Sequence, residues 1–144
     1  MAKPVQITFD CADPDKLARF WAAALGYKLQ DPPDGYASWQ EWLAEQGIPE
    51  SEWNSASAIV DPDGTGPRIY FQRVPEDKTT KNRVHLDVNV GGGPGTPVGE
   101  RREHVATEVA RVIELGATKV SVYDERGEHW VVMNDPEGNE FCLQ

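Results

Sequence analysis

The stretch VDPDGTGPRIYFQ at residues 60–72 and the stretch NDPEGNEFCLQ at residues 134–144 are two versions of one pattern. Each opens with an Asp-Pro-acid-Gly turn, with Pro at the second position and Gly at the fourth, as type I turns favour. Each then alternates. Ile69 and Phe71 oppose Arg68, Tyr70 and Gln72; Phe141 and Leu143 oppose Glu140, Cys142 and Gln144. A chain that writes one turn and strand twice is most simply a chain that folds one unit twice.

The preceding segments repeat as well. In VQITFDC, residues 5–11, Ile7, Phe9 and Cys11 share one face and Gln6, Thr8 and Asp10 the other. A helix follows with both ends marked. Asp13 suits the N-cap and Pro14 the first helical position. Leu17, Phe20, Trp21 and Leu25 form the apolar stripe, and Gly26 is the left-handed stop. In VHLDVNV, residues 84–90, Leu86, Val88 and Val90 oppose His85, Asp87 and Asn89. After a Gly/Pro-rich loop over residues 91–104, a second helix carries Val105, Val109, Val112 and Ile113 and stops at Gly116. The sequence predicts an α+β fold of two β-α-β-β-β modules, the first over about residues 1–76 and the second over about residues 82–144. Apolar strand faces pack on the helices, so the polar faces are expected to line a cleft, where ligands sit.

Charge narrows the partners. A net charge of −10 repels phosphate backbones and argues against nucleic acid. The basic cluster DKTTKNR at 77–83 reads as a solvated turn. No apolar run approaches the roughly 20 residues of a membrane span, and the start leaves no room for a signal peptide. Two cysteines, Cys11 and Cys142, make no disulfide framework, so a reducing, cytoplasmic setting is expected. The segment GGGPGTPVG at 91–99 lacks a phosphate-loop ending and reads as a connector.

The segments ITFDCADPDKLARFWAAALGY, DPDGTGPRIYFQRVPEDKTTKNRVHLDV and GEHWVVMNDPEGNEFCL together resemble the glyoxalase-like branch of the vicinal oxygen chelate superfamily, which includes glyoxalase I, bleomycin-resistance proteins and extradiol dioxygenases. The resemblance implies one domain, 1–144, in which two paired β-α-β-β-β modules curl eight strands around a cleft. Metal-using members hold a divalent ion there through the opening and closing strands of each module. Carried over, those positions fall on Gln6, His85, Cys142 and either Tyr70 or Gln72, depending on register. Gln6 and His85 are metal-ligand types; Tyr70 and Cys142 stand where glyoxalase I supplies glutamates. Hard and borderline ions want carboxylate oxygen at such positions, so the set is incomplete.

His85 can be a ligand, a general acid/base, or a hydrogen-bonding wall of the pocket. Asp87 and Asp10, on the same polar faces, could orient a base and are read as solvating the rim. Cys142 as a nucleophile needs a lowered pKa, whereas a strand cysteine is usually inert packing. Residues 38–54, SWQEWLAEQGIPESEWN, form an insertion. Ser38 and Glu41 fit a capping box for a short helix ending at Gly47. Its Trp39, Trp42 and Trp53 either anchor the insertion to the body or line a ligand's apolar end, and Trp39 is a ligand-binding candidate. His129, before the last turn, is another. The sequence points to a small-molecule-binding protein whose ligand meets Gln6, Tyr70, His85, Cys142, Trp39 and His129, with His85 the catalytic candidate. The rival is a metal-dependent lyase, isomerase or dioxygenase of the same superfamily. A structural, homodimer-forming module is a third class.

Overall fold

The computed structural model describes residues 1–144, which divide into two compact units, Met1–Asp77 and Lys78–Gln144. Unit one runs β1 (Ile7–Cys11), α1 (Pro14–Leu25), β2 (Lys28–Leu29), α2 (Trp39–Glu45), a 3-10 turn (Glu50–Glu52), β3 (Ala56–Val60) and β4 (Ile69–Arg73). Unit two runs β5 (Leu86–Val88), α3 (Val98–Leu115), β6 (Thr118–Glu125), β7 (Glu128–Asn134) and β8 (Glu140–Leu143). The strand orders are β1-β4-β3-β2 and β5-β8-β7-β6. Each module is therefore β-α-β-β-β, and in each the opening and closing strands pair parallel while the rest of the sheet is antiparallel.

The local signals act where the sequence places them. Asp13 caps α1 by accepting from the Lys16 N–H, Pro14 begins the helix, and Gly26 takes φ 72° with its N–H bonded to the Ala22 carbonyl. Both turns close by i to i+3 bonds, Gly64 N–H to Asp61 O at 3.0 Å and Gly138 N–H to Asp135 O at 2.9 Å. The Asp side chains tie the turns further. Asp61 accepts from the Asp63 N–H, the Gly66 N–H and Thr65, which together hold its carboxyl below the usual range. Asp135 accepts from the N–H groups of Glu137 and Asn139 and from the Asn139 amide.

Each helix packs on the apolar face of its own sheet. In module one Leu17, Phe20 and Trp21 meet Ile59, Ile69 and Phe71, all at most 4% exposed, and the Phe9 ring lies 5.3 Å from Trp21 and 5.4 Å from Phe71. In module two Val105, Val109 and Val112 bury against a sheet whose inner face carries Val131, Met133, Phe141 and Leu143. Two details depart from the sequence expectation. Helix α3 begins at Val98, within the segment read as loop, because its first turns are polar and carry no apolar stripe; Arg102 in those turns pairs with Asp124 of β6 at 3.0 Å. Ile113, placed on the stripe, is 45% exposed, so the buried row is Val105, Val109 and Val112 alone.

Candidate functional site

The open face of each sheet is the one turned away from its helix, and register fixes which side chains stand on it. In module one Thr8 pairs with Tyr70 and Asp10 with Gln72, while Tyr70 pairs with Ala58 and Gln72 with Ala56. Alternation adds Gln6 and Arg68 to this face. The two alanines leave space, and residues of the insertion 38–54 flank it. The result is a cavity of about 780 Å³ whose floor includes Ala56, Ala58, Tyr70 and Arg68 and whose other walls include Trp39 and Trp42. That volume is in the range of small-molecule pockets.

The insertion is held by its own indoles. Ser38 caps α2 by accepting from the Glu41 N–H, and Glu41 accepts in return from the Ala37 N–H. Trp39 Nε1 donates to the Gln30 carbonyl at 2.8 Å and Trp53 Nε1 to the Ile48 carbonyl at 2.9 Å, and Trp39 meets Trp42 edge-on at 5.8 Å. The polar end of each anchoring ring is satisfied by backbone, leaving its apolar body to the cavity. Anchoring and lining are thus one arrangement. No residue of α2 is fully buried, as suits a wall rather than a core element.

Arg68 is the polar centre of the cavity. Its Nε donates to Gln30 Oε1 at 2.7 Å and its Nη1 to Gln6 Oε1 at 2.8 Å, and its guanidinium carbon lies 5.3 Å from the Tyr70 ring centroid, within cation–π range. The sequence reading passed over Arg68. The signal was available: it stands two residues before Tyr70 on the same strand face.

Module two arranges different chemistry at the same places. Asp87 pairs with Cys142 across β5 and β8, and His85 stands two residues before Asp87 on that face. His85 Nε2 lies 3.2 Å from Asp87 Oδ1, and the donor atoms of His85, Asp87 and Cys142 all lie within 4.8 Å of one another. Cys142 is 8% exposed. Burial, and then the charge and hydrogen bond of Asp87, push its thiol up to about 11, so at neutral pH it is a protonated thiol rather than a nucleophile. Asp87, assigned by sequence to the rim, is the residue that joins the other two. Glu140, two residues before Cys142, is engaged elsewhere. It accepts from the Asn82 N–H at 2.9 Å and pairs with Lys78 at 3.2 Å, and although burial pushes its carboxyl up, these partners bring the net direction down. The basic stretch 77–83 is tied to β8 through these contacts.

Cys142 lies opposite Val132 on β7, so His129, an odd number of residues away, stands on the other face of the sheet with Val131 and Met133. Its Nδ1 is 2.9 Å from Asp124 Oδ1. Asp124, which the His129 hydrogen bond and then Arg102 hold below the usual carboxylate range, joins the pair to α3. The candidates thus fall into groups. Tyr70 and Trp39 share the module-one cavity, with Gln6 joined to it through Arg68. His85 and Cys142 cluster with Asp87 in module two. His129 is a buried, helix-side residue.

The profile of the Glyoxalase-like domain family matches residues 6–144. The chain belongs to that family. Among curated proteins none matches it. Solved structures share the fold of this glyoxalase-like domain at low identity. A glyoxalase/bleomycin resistance protein/dioxygenase family enzyme from Burkholderia phytofirmans is 16% identical with a TM-score of 0.63, over 99% of this chain and 97% of that one. A mutant of the fosfomycin resistance protein FosX from Listeria monocytogenes, complexed with Mn(II) and 1S,2S-dihydroxypropylphosphonic acid, is 14% identical with a TM-score of 0.61, over 100% and 90%. A possible glyoxalase from Bacillus cereus is 12% identical with a TM-score of 0.62, over 100% and 99%. No helix of this domain is long and apolar enough to cross a membrane.

Proposed function

We propose that this glyoxalase-like domain is a small-molecule-binding protein whose ligand occupies the module-one cavity. The observation that carries the reading is the half-open cavity of about 780 Å³ beside the open face of the first sheet. Indole and phenol walls suit a ligand with a flat apolar part, because such rings present large contact area at little entropic cost. Isothermal titration of the full chain with 2-naphthamide tests it. One-to-one binding is expected, weakened by a factor of about 30 or more in the Trp39→Ala, Trp42→Ala double variant, since truncating an aromatic anchor costs about 2 kcal/mol. His85→Ala leaves this binding unchanged. Absence of binding to the wild-type chain rejects the reading.

The second reading is a metal-assisted enzyme, and it rests on the His85–Asp87–Cys142 cluster. The donor set of imidazole nitrogen, carboxylate oxygen and sulfur suits a borderline ion such as Zn²⁺ better than Mg²⁺. Those three residues would hold it, and it would supply Lewis acidity to a substrate oxygen. Asp87 provides the negative charge, His85 the neutral nitrogen, and Cys142 a thiol that must lose its proton on loading. The FosX neighbour is crystallised with Mn(II), which supports a metal in this superfamily. Zinc content after loading and desalting is expected at one ion per chain and is lost in His85→Ala and in Asp87→Ala. No retained metal rejects the second reading and leaves the first intact. A cytoplasmic location and a homodimer remain part of the proposal; sedimentation velocity tests the latter.

A further inference from the structure

We infer that the module-one cavity selects anionic ligands, specifically planar carboxylates attached to an aromatic body, and that Arg68 is the group that recognises the charge. This rests on the cavity being the ligand site. Among the charged residues of the lining, the acids already have cations: Asp15 pairs with Arg19 at 3.1 Å, Asp31 with Lys28 at 2.9 Å and Glu52 with Arg73 at 3.1 Å. Arg68 has none. Its protein partners are two neutral amide oxygens, those of Gln6 and Gln30, and the face of Tyr70. These contacts fix the plane of the guanidinium without cancelling its charge, and its Nη2 makes no hydrogen bond. A half-buried cation held in one orientation and lacking a counter-ion is matched by a planar anion, which a guanidinium engages through parallel N–H bonds. The small floor residues Ala56 and Ala58 leave room beside it, and the indoles receive an apolar body.

The chain as a whole carries a net charge of −10 and favours cations by its long-range field. A preference for anions therefore has to come from a local group, which makes the inference sharp. Three probes of one shape separate the terms: 2-naphthoate, neutral 2-naphthamide and cationic 2-naphthylmethylammonium, each titrated calorimetrically into the full chain. The naphthoate is expected to bind at least about tenfold more tightly than the amide, the size of one charge-assisted hydrogen bond, and the ammonium more weakly than either. In Arg68→Met the ratio of naphthoate to amide affinity is expected to fall to about one, whatever the common change in both. Arg68→Lys, which keeps the charge but loses the planar fork, restores only part of the preference. Equal binding of naphthoate and amide to the wild-type chain, or tighter binding of the ammonium, overturns the anion assignment while leaving the cavity as a ligand site. Failure of all three to bind removes the cavity reading and this inference together. An unchanged naphthoate preference in Arg68→Met, with the variant's thermal unfolding like that of wild type, shows that another group reads the charge and overturns the role given to Arg68.

Discussion

Along β4 of module one, the open face carries Arg68, Tyr70 and Gln72, with Gln6 and Thr8 on or beside the neighbouring β1; along β8 of module two it carries Glu140, Cys142 and Gln144, with His85 and Asp87 on or beside β5. The registers make these rows equivalent. Thr8 faces Tyr70 as Asp87 faces Cys142, which makes Gln6 the counterpart of His85 and Arg68 the counterpart of Glu140. At four of these five places the chemistry differs, and only Gln72 and Gln144 are alike. Module one has a cation, two amides and a phenol beside a wall of indoles. Module two has acids, an imidazole and a thiol with no such insertion. One scaffold thus presents two free faces of different chemistry. What the two modules share is the packing; they differ on the face that packing leaves free.

Three measurements test that separation. The largest effect is on the shared scaffold. Phe71→Ala and Phe141→Ala remove fully buried rings from the two sheets, and each is expected to cost about 3–5 kcal/mol in urea unfolding. A loss near zero for either breaks the equivalence of the cores. The next compares the two turns. The Asp135 carboxylate is 3% exposed and satisfies three donors, so Asp135→Ala should cost about 2 kcal/mol by leaving them unpaired, visible as a lower thermal midpoint. Asp61→Ala, at a more open turn, should lower the midpoint less. Equal losses would show that sequence identity of the turns outweighs their setting. The smallest effect is on pH. The thiol of Cys142 ionises at about 11 in the fold and near 8.5 when unfolded. Because the folded value is raised, its contribution is complete below about pH 8.5 and is lost as pH rises toward 11. Denaturant midpoints should therefore fall across that window in wild type, and Cys142→Ala should flatten this part of the curve. An identical decline in the variant assigns it to other groups.

The scaffold was legible because its signals are local. Asp13, Pro14 and Gly26 bound a helix by chemistry that needs no tertiary context, and the two Asp-Pro-acid-Gly turns each fixed the start of a strand. The start of α3 was hidden for the converse reason. Residues 100–104 are polar and follow a glycine-rich segment, and they are held by pairings such as Arg102 with Asp124 that alternation cannot reveal. The site was only partly legible. His85, Cys142 and Tyr70 stood out by strand face, and Asp87 was visible but assigned to the rim. Arg68 was missed because an arginine on a strand in a charged protein looks like surface. Its significance lies in which charges around it are already paired, and pairing across separations of 38 and 62 residues is set by the fold. His129 shows the opposite limit, since a strand read without its register does not say which of its faces meets the helix.

In both sheets the strand made last sits inside, β4 between β1 and β3 and β8 between β5 and β7. A growing polypeptide leaving the ribosome can therefore pair β2 with β3 and β6 with β7 as they are made, but not the opening strand of either sheet. The first strand must wait, its edge open, until the final one is synthesised and slots in beside it, so each sheet is completed only by its last strand.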